Sequence, residues 1–151
     1  KRHLFTMAGE QKVFSPGFDR LSIRFRGWNL AMVICYDIRF PAWCRNVLNQ
    51  YDALIAVANW PQVRVDAWNK LLVARAIENE AYVLGVDCRG TDTGGFVYDG
   101  SSAVIDYKGR TVADKSSDDS PFIYASLDMD ALLRFRAKFP AWQDADNFRL
   151  L

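Results

Sequence analysis

The sequence contains little histidine and little cysteine, and it has no long uncharged apolar run. His3 is the only histidine, and the three cysteines, Cys35, Cys44 and Cys88, include no C-x-x-C pair. Neither a metal site nor a redox dithiol is therefore expected. We interpret the thiols as reduced and the protein as cytoplasmic. Without a run of about 18 apolar residues or a signal peptide, we expect no membrane partner.

The charges are nearly balanced. The 151 residues include 19 Lys and Arg against 18 Asp and Glu, a formal net charge of +1, so nothing in the balance indicates nucleic-acid binding. Half of the residues are apolar, enough for the core of one domain without disulfides. No glycine-rich phosphate loop is present, and we expect no cofactor. We predict a single domain over residues 1–151 whose partner is a small molecule.

Apolar patterns predict a layered, mixed α/β fold. Alternation over 20–26 is typical of a half-buried strand, and continuous apolar runs predict strands buried on both faces at 30–35 and 53–58, with a third buried strand at 82–86. Helical spacing predicts helices over 41–50, 65–80 and 128–138. Later strands are predicted near 102–105, 111–113 and 122–127, with a hairpin loop over 114–120.

Two of the predicted buried strands end in polar or aromatic residues. Cys35 ends one strand and Asn59 follows the next. The carboxyl ends of strands in an α/β sheet form the edge at which ligands commonly bind. We therefore expect the functional site at this edge.

Cys35 has two interpretations at this level. A thiol that precedes a helix N-terminus can be stabilised as a thiolate nucleophile, but a free cysteine can equally be a small core residue. Cys44 and Cys88 are interpreted as core residues. A nucleophile needs a base or a cation, and spacing alone does not choose among the nearby groups. These groups are Lys1, His3, Glu10, Asp37 and Arg39.

Several short segments occur in a characteristic order: Lys-Arg-His-Leu-Phe at 1–5, Glu10, Ser-Pro-Gly at 15–17, Ile-Cys-Tyr-Asp-Ile-Arg-Phe-Pro at 34–41, Asn-Trp-Pro at 59–61 and Ala-Arg-Ala-Ile-Glu-Asn at 74–79. In order and spacing they resemble the carbon-nitrogen hydrolase (nitrilase) superfamily. Segments 34–41 and 59–61 are most similar to its omega-amidase branch, which hydrolyses the terminal amide of monoamides such as 2-oxoglutaramate and succinamate. The resemblance implies an α-β-β-α sandwich, of which this chain matches the later half or so and lacks the N-terminal portion, and a homodimer.

The resemblance also implies roles for particular residues. The family works with a Glu-Lys-Cys triad, which places the nucleophile at Cys35 and the lysine at Lys1. A second glutamate, which helps to position substrate or a proton, falls on Glu10. Lys1 and the backbone N–H of Tyr36 would stabilise the oxyanion. The family's general-base glutamate lies upstream of the lysine, and no residue of this sequence matches it.

The far end of such a substrate is a carboxylate, which favours a guanidinium partner. Arg64 is the candidate, although a solvated surface arginine would look the same in sequence. Asn59 and Trp60 are expected to line the acyl pocket, with core packing the alternative for Trp60. A Cys–His pair using His3 is a further possibility, whereas the resemblance makes His3 structural support. Asp37 and Arg39 are interpreted as a hydrogen-bonded brace for the turn at Cys35. The alternative functions are another amidase or carbamoylase of the superfamily, or a catalytically silent scaffold without the base.

Overall fold

The computed structural model describes residues 1–115, 120–146 and 148, which contain eight strands and three α-helices. No helix within these ranges has the length and apolarity needed to cross a bilayer. The strands are β1 (Leu21–Phe25), β2 (Trp28–Ile34), β3 (Ala53–Ala58), β4 (Tyr82–Asp87), β5 (Arg89–Thr91), β6 (Val97–Asp99), β7 (Ala103–Ile105) and β8 (Thr111–Asp114). The α-helices are α1 (Pro41–Cys44), α2 (Val65–Asn79) and α3 (Met129–Lys138).

Three parallel strands form the centre of the sheet. β2, β3 and β4 are parallel neighbours within a six-stranded sheet of order β1-β2-β3-β4-β7-β8, and β5 and β6 pair as a separate short ribbon. The register places Ile34, Val57 and Val86 side by side. The residues that follow these three strands therefore meet at one edge, as the sequence predicted, and the mixed α/β class is confirmed.

Helix α2 covers one face of this sheet. Its Trp68 and Leu72 are fully buried in one cluster with Val83 of β4. A Cβ atom on Gly85 would lie only 2.5 Å from Cδ1 of Leu72, so the absence of a side chain there lets helix and strand approach closely. This packing fixes β4 and the start of α2 relative to one another.

The opposite face of the sheet is largely open in the described residues. All of β1 is exposed, and Ile34, Val57 and Val86 are 43%, 44% and 48% exposed. Helix α3 covers only one end of this face, where Leu132 packs in a cluster with Tyr82. The expected half-burial of 20–26 and two-sided burial of 30–35 are therefore wrong, and the two-sided burial expected of 53–58 fails at Val57. The reason is that β1 is an edge strand and this face of the sheet has no covering layer in the described ranges.

Most other predicted elements are confirmed, with three differences. The helix predicted over 41–50 already ends at Cys44, because the side-chain amide of Asn46 exchanges hydrogen bonds with the backbone of Tyr51 and donates to the carbonyl of Asn79. The strand predicted at 122–127 has no regular structure, and β5 and β6 were missed. The hairpin loop predicted over 114–120 lies partly outside the described residues.

Candidate active site

Cys35 lies at a sharp turn just beyond β2. It begins a 3-10 helix, Cys35–Arg39, and its φ of +49° is in the left-handed region that residues with side chains seldom adopt. The turn is a single short one, so it does not supply the helix N-terminus that the sequence suggested. It does bring Cys35 into the lining of a cavity of about 790 Å³ at the carboxyl edge of the parallel strands.

The buried carboxylate of Asp37 ties this turn to the start of the chain. Asp37 is 1% exposed, and its oxygens accept the backbone N–H of Ile34 at 3.2 Å and that of His3 at 2.8 Å. The His3 ring nitrogen Nδ1 lies 2.9 Å from the same carboxylate, and the ring stacks on Phe40 at a centroid distance of 3.6 Å. His3 is thus held by Asp37 and Phe40 and does not line the cavity that contains Cys35.

Lys1 and Glu10 form an ion pair in the same cavity. Nζ of Lys1 lies 2.6 Å and 2.5 Å from the two carboxylate oxygens, and the backbone N–H of Phe5 donates to Glu10 at 2.7 Å. Burial raises the pKa of Glu10, but the hydrogen bonds from Lys1 and Phe5 outweigh it, so the pKa lies below the usual value. Glu10 is therefore ionised at neutral pH and fixes the Lys1 ammonium in the cavity.

The environment of Cys35 favours a neutral thiol at rest. Burial raises its pKa, and the charge of Lys1 together with the backbone N–H of Tyr36 only partly offsets that effect. The thiol donates to the carbonyl oxygen of Asn59, with Sγ and oxygen 3.9 Å apart. A neutral thiol is a weak nucleophile, so this arrangement needs a general base.

Two of the three residues predicted to bind substrate line the Cys35 cavity. Asn59 follows β3, and Arg64 lies in the turn before α2 with its guanidinium 5.5 Å from the ring centroid of Phe5. Trp60 is only 3% exposed, and its indole N–H donates to the carbonyl of Arg64 at 2.8 Å. The structure brings Asn59 and Arg64 together with Cys35 but places the Trp60 ring in the core.

Several residues of the cavity lining were not predicted from the sequence. Cys88, just beyond β4, is half-buried in that lining, so its interpretation as a core residue is wrong. Asp92 accepts from the Tyr98 hydroxyl at 2.8 Å and from the backbone N–H of Phe96 at 3.0 Å, and its hydrogen bond raises the pKa of Tyr98 to about 12. An Asp shortly before paired glycines is a turn signal that predicts such a ribbon.

In the described ranges, no cluster of His, Cys, Asp and Glu is arranged to hold a metal.

The chain is similar to known proteins over nearly all of its length. The sequence model of the carbon-nitrogen hydrolase family matches residues 1–137. The omega-amidase YafV of Escherichia coli K12 is 49% identical over 99% of this chain and 58% of that protein. The 2-oxoglutaramate amidase of Bacillus subtilis is 33% identical over 95% of this chain and 55% of that protein. A solved structure from Xanthomonas campestris, described as a CN-hydrolase superfamily protein with an arsenic adduct in the active site, has a TM-score of 0.94 and 38% identity. It is matched over 100% of this chain and 59% of its own.

These matches correct one expectation about coverage. The family match includes residues 1–137, so the resemblance is to the carbon-nitrogen hydrolase domain and not only to its later half. The chain spans somewhat more than half of the length of its relatives, 58% of the Escherichia coli protein.

Proposed function

This chain belongs to the carbon-nitrogen hydrolase family, and on that premise we propose that it carries the nucleophile of a cysteine amidase. The substrate is the terminal amide of a short dicarboxylic acid monoamide of the 2-oxoglutaramate or succinamate type. The observation that carries the proposal is the meeting of Cys35, Lys1 and Glu10 in one cavity. The names of the relatives, omega-amidase and 2-oxoglutaramate amidase, support the substrate class.

Each residue of the site has its own role in the proposed reaction. Cys35 attacks the amide carbonyl, its thiol proton passes through a general base to the departing ammonia, and a thioester remains for water to hydrolyse. Lys1 and the backbone N–H of Tyr36 stabilise the tetrahedral oxyanion, and Glu10 keeps the Lys1 ammonium in position. The raised pKa of Cys35 supports this scheme, because a neutral thiol requires a base during the attack.

We propose that the base belongs to a longer polypeptide of which this chain is one part. The resemblance assigns the base to a glutamate that no residue here matches, and the chain spans 58% of its Escherichia coli relative. The open sheet face supports this proposal, because β1 exposes the side chains of Leu21, Ile23 and Phe25, which a second β layer would bury.

Arg64 is proposed to bind the distal carboxylate of the substrate. Arg64 lines the same cavity of about 790 Å³ as Cys35, and this supports a role in binding the far end of the substrate. Asn59 lines the space between the strand ends and is proposed to contact the acyl chain. The predicted homodimer and cytoplasmic location stay predictions.

The test is ammonia release from succinamate and 2-oxoglutaramate by the full-length protein that contains this chain. We expect release by the parent, none by Cys35→Ala, and retained activity in Cys88→Ala, which removes a second thiol from the same cavity. Undiminished activity of Cys35→Ala would contradict the assigned nucleophile. Silence of a folded parent on both substrates would reject the substrate class and favour another amidase, a carbamoylase or the scaffold alternative.

A further inference from the structure

Asp87, the last residue of β4, contacts the peptide group that joins Asn59 to Trp60. Its Oδ1 accepts the backbone N–H of Trp60 at 2.7 Å. The carbonyl of that same peptide group is the oxygen to which the Cys35 thiol donates, at 3.9 Å. A single peptide group therefore has Asp87 at its N–H end and the thiol at its carbonyl end.

The geometry of a peptide group links these two contacts. The peptide is trans and planar, so its N–H and C=O point in opposite directions, and neither can rotate without the other. Trp60 is further restrained because its ring is buried in the core and Pro61 follows it. The direction of the Asn59 carbonyl is therefore set by what holds the Trp60 N–H.

The Asp87 carboxylate is costly to bury. The residue is 8% exposed, and Oδ2 has no hydrogen-bond partner in the described part of the chain. Burial raises the pKa of Asp87, and the backbone groups of Trp60, Cys88 and Ser101 offset this only in part. A buried carboxylate with one unpaired oxygen destabilises a fold, so packing alone does not account for it. Asp87 is part of the lining of the Cys35 cavity, and its hydrogen bond to the Trp60 N–H links it to the Asn59 carbonyl.

We propose that Asp87 is a positioning residue for the nucleophile, fixing the Asn59–Trp60 peptide so that the Asn59 carbonyl holds the Cys35 thiol at the cavity. The inference rests on the proposed function in that Cys35 is the nucleophile. Asp87 itself does not touch the reacting atoms. The role requires a hydrogen-bond acceptor at Oδ1 and does not require a negative charge.

The test compares Asp87→Asn, which keeps an acceptor oxygen, with Asp87→Leu, which removes it at similar size. Two readouts are taken on the full-length protein: kcat and KM for 2-oxoglutaramate, and the rate at which iodoacetamide alkylates Cys35. Cys35, Cys44 and Cys88 fall on different tryptic peptides, 27–39, 40–45 and 76–89, so mass spectrometry follows each thiol separately. Alkylation needs no turnover, so it tests the positioning even if the substrate class is wrong.

We expect Asp87→Asn to stay within about threefold of the parent in both readouts. Asp87→Leu should lower kcat and the alkylation rate by about 10- to 100-fold at nearly unchanged KM, because a displacement of the order of 1 Å at a nucleophile has effects of this size. Val83→Ala, a buried truncation in the same strand that does not touch this peptide group, should lower the melting temperature without changing either readout. If Asp87→Leu is insoluble, Asp87→Ala takes its place with the same expectation.

Three results would overturn the proposal. Parent-like kcat and alkylation in Asp87→Leu would show that the hydrogen bond to Trp60 does not position the thiol. Equal losses in Asp87→Asn and Asp87→Leu would assign the effect to charge. Equal losses in Val83→Ala would assign it to general destabilisation.

Discussion

Replacing Asp37 with asparagine should weaken the hydrogen bonds that hold residues 1–3 against the turn at Cys35. One carboxylate oxygen accepts the His3 backbone N–H at 2.8 Å and the His3 ring nitrogen at 2.9 Å. The other accepts the backbone N–H groups of Ile34 and Arg2 at 3.2 Å and 3.3 Å. An asparagine amide offers one acceptor oxygen, so in either orientation its NH₂ group faces at least one backbone N–H donor.

The expected cost follows from the donors left without an acceptor. The Arg2 N–H also lies 3.2 Å from the first oxygen, so either orientation leaves one backbone N–H without an acceptor. A buried unsatisfied N–H costs about 1–3 kcal/mol, and the free energy of unfolding should fall by about that amount. Because Lys1 precedes these contacts directly, its ammonium should also lose its position relative to Cys35. We expect kcat to fall by about 100-fold or more, the size of effect seen when one oxyanion donor is lost.

Urea unfolding of the full-length protein measures the change in the free energy of unfolding, and ammonia release measures the change in kcat. The matched control is Asp66→Asn, since Asp66 is 79% exposed and pairs with Lys70 on the surface of α2. It should change the free energy of unfolding by less than about 0.5 kcal/mol. An Asp37→Asn protein as stable and as active as that control would refute the bracing role of Asp37.

Three further predictions concern packing, a buried ion pair and thiol reactivity. Gly85→Ala would set a Cβ atom 2.5 Å from Leu72 and should destabilise the protein by about 1–3 kcal/mol in thermal unfolding. Arg136→Met breaks a buried ion pair of 2.9 Å and should cost about 3–5 kcal/mol in urea unfolding, where a loss below 1 kcal/mol would contradict us. The alkylation rate of Cys35 should keep rising with pH beyond the ordinary thiol pKa and level off only above it, because burial raises the pKa of this thiol. Lys1→Met should move that rise to still higher pH, since it removes a charge that lowers the pKa; a shift to lower pH would be the contrary result.

Local patterns predicted the elements whose contacts are local or repetitive. The apolar run at 53–58 is the strand β3, and the helical spacing over 65–80 is the helix α2, in which the apolar side chains at that spacing include the buried Trp68, Leu72 and Ala76. The prediction of a helix over 41–50 was wrong because the end of this helix does not depend on a local pattern. Its end is decided by hydrogen bonds from Asn46 to Asn79, which is far away in sequence.

The site was predictable where its residues follow strands and less so where contacts are long-range. Cys35 and Asn59 come together because parallel strands end at the same edge. The sequence does not show that the Trp60 ring turns into the core or that Cys88 reaches the cavity, because both depend on which face each side chain takes after its strand ends. The role of Asp87 depends on a hydrogen bond between residues 27 positions apart.

In the proposed reaction, Cys35 forms a thioester intermediate with a small amide substrate. The most direct measurement is to mix the full-length protein with 2-oxoglutaramate, quench with acid within milliseconds to seconds, and analyse the peptide of residues 27–39 by mass spectrometry. We expect an acyl adduct on Cys35 that forms with the release of ammonia and is absent in Cys35→Ala. Ammonia release without any adduct on that peptide, or with the adduct on Cys88, would contradict it.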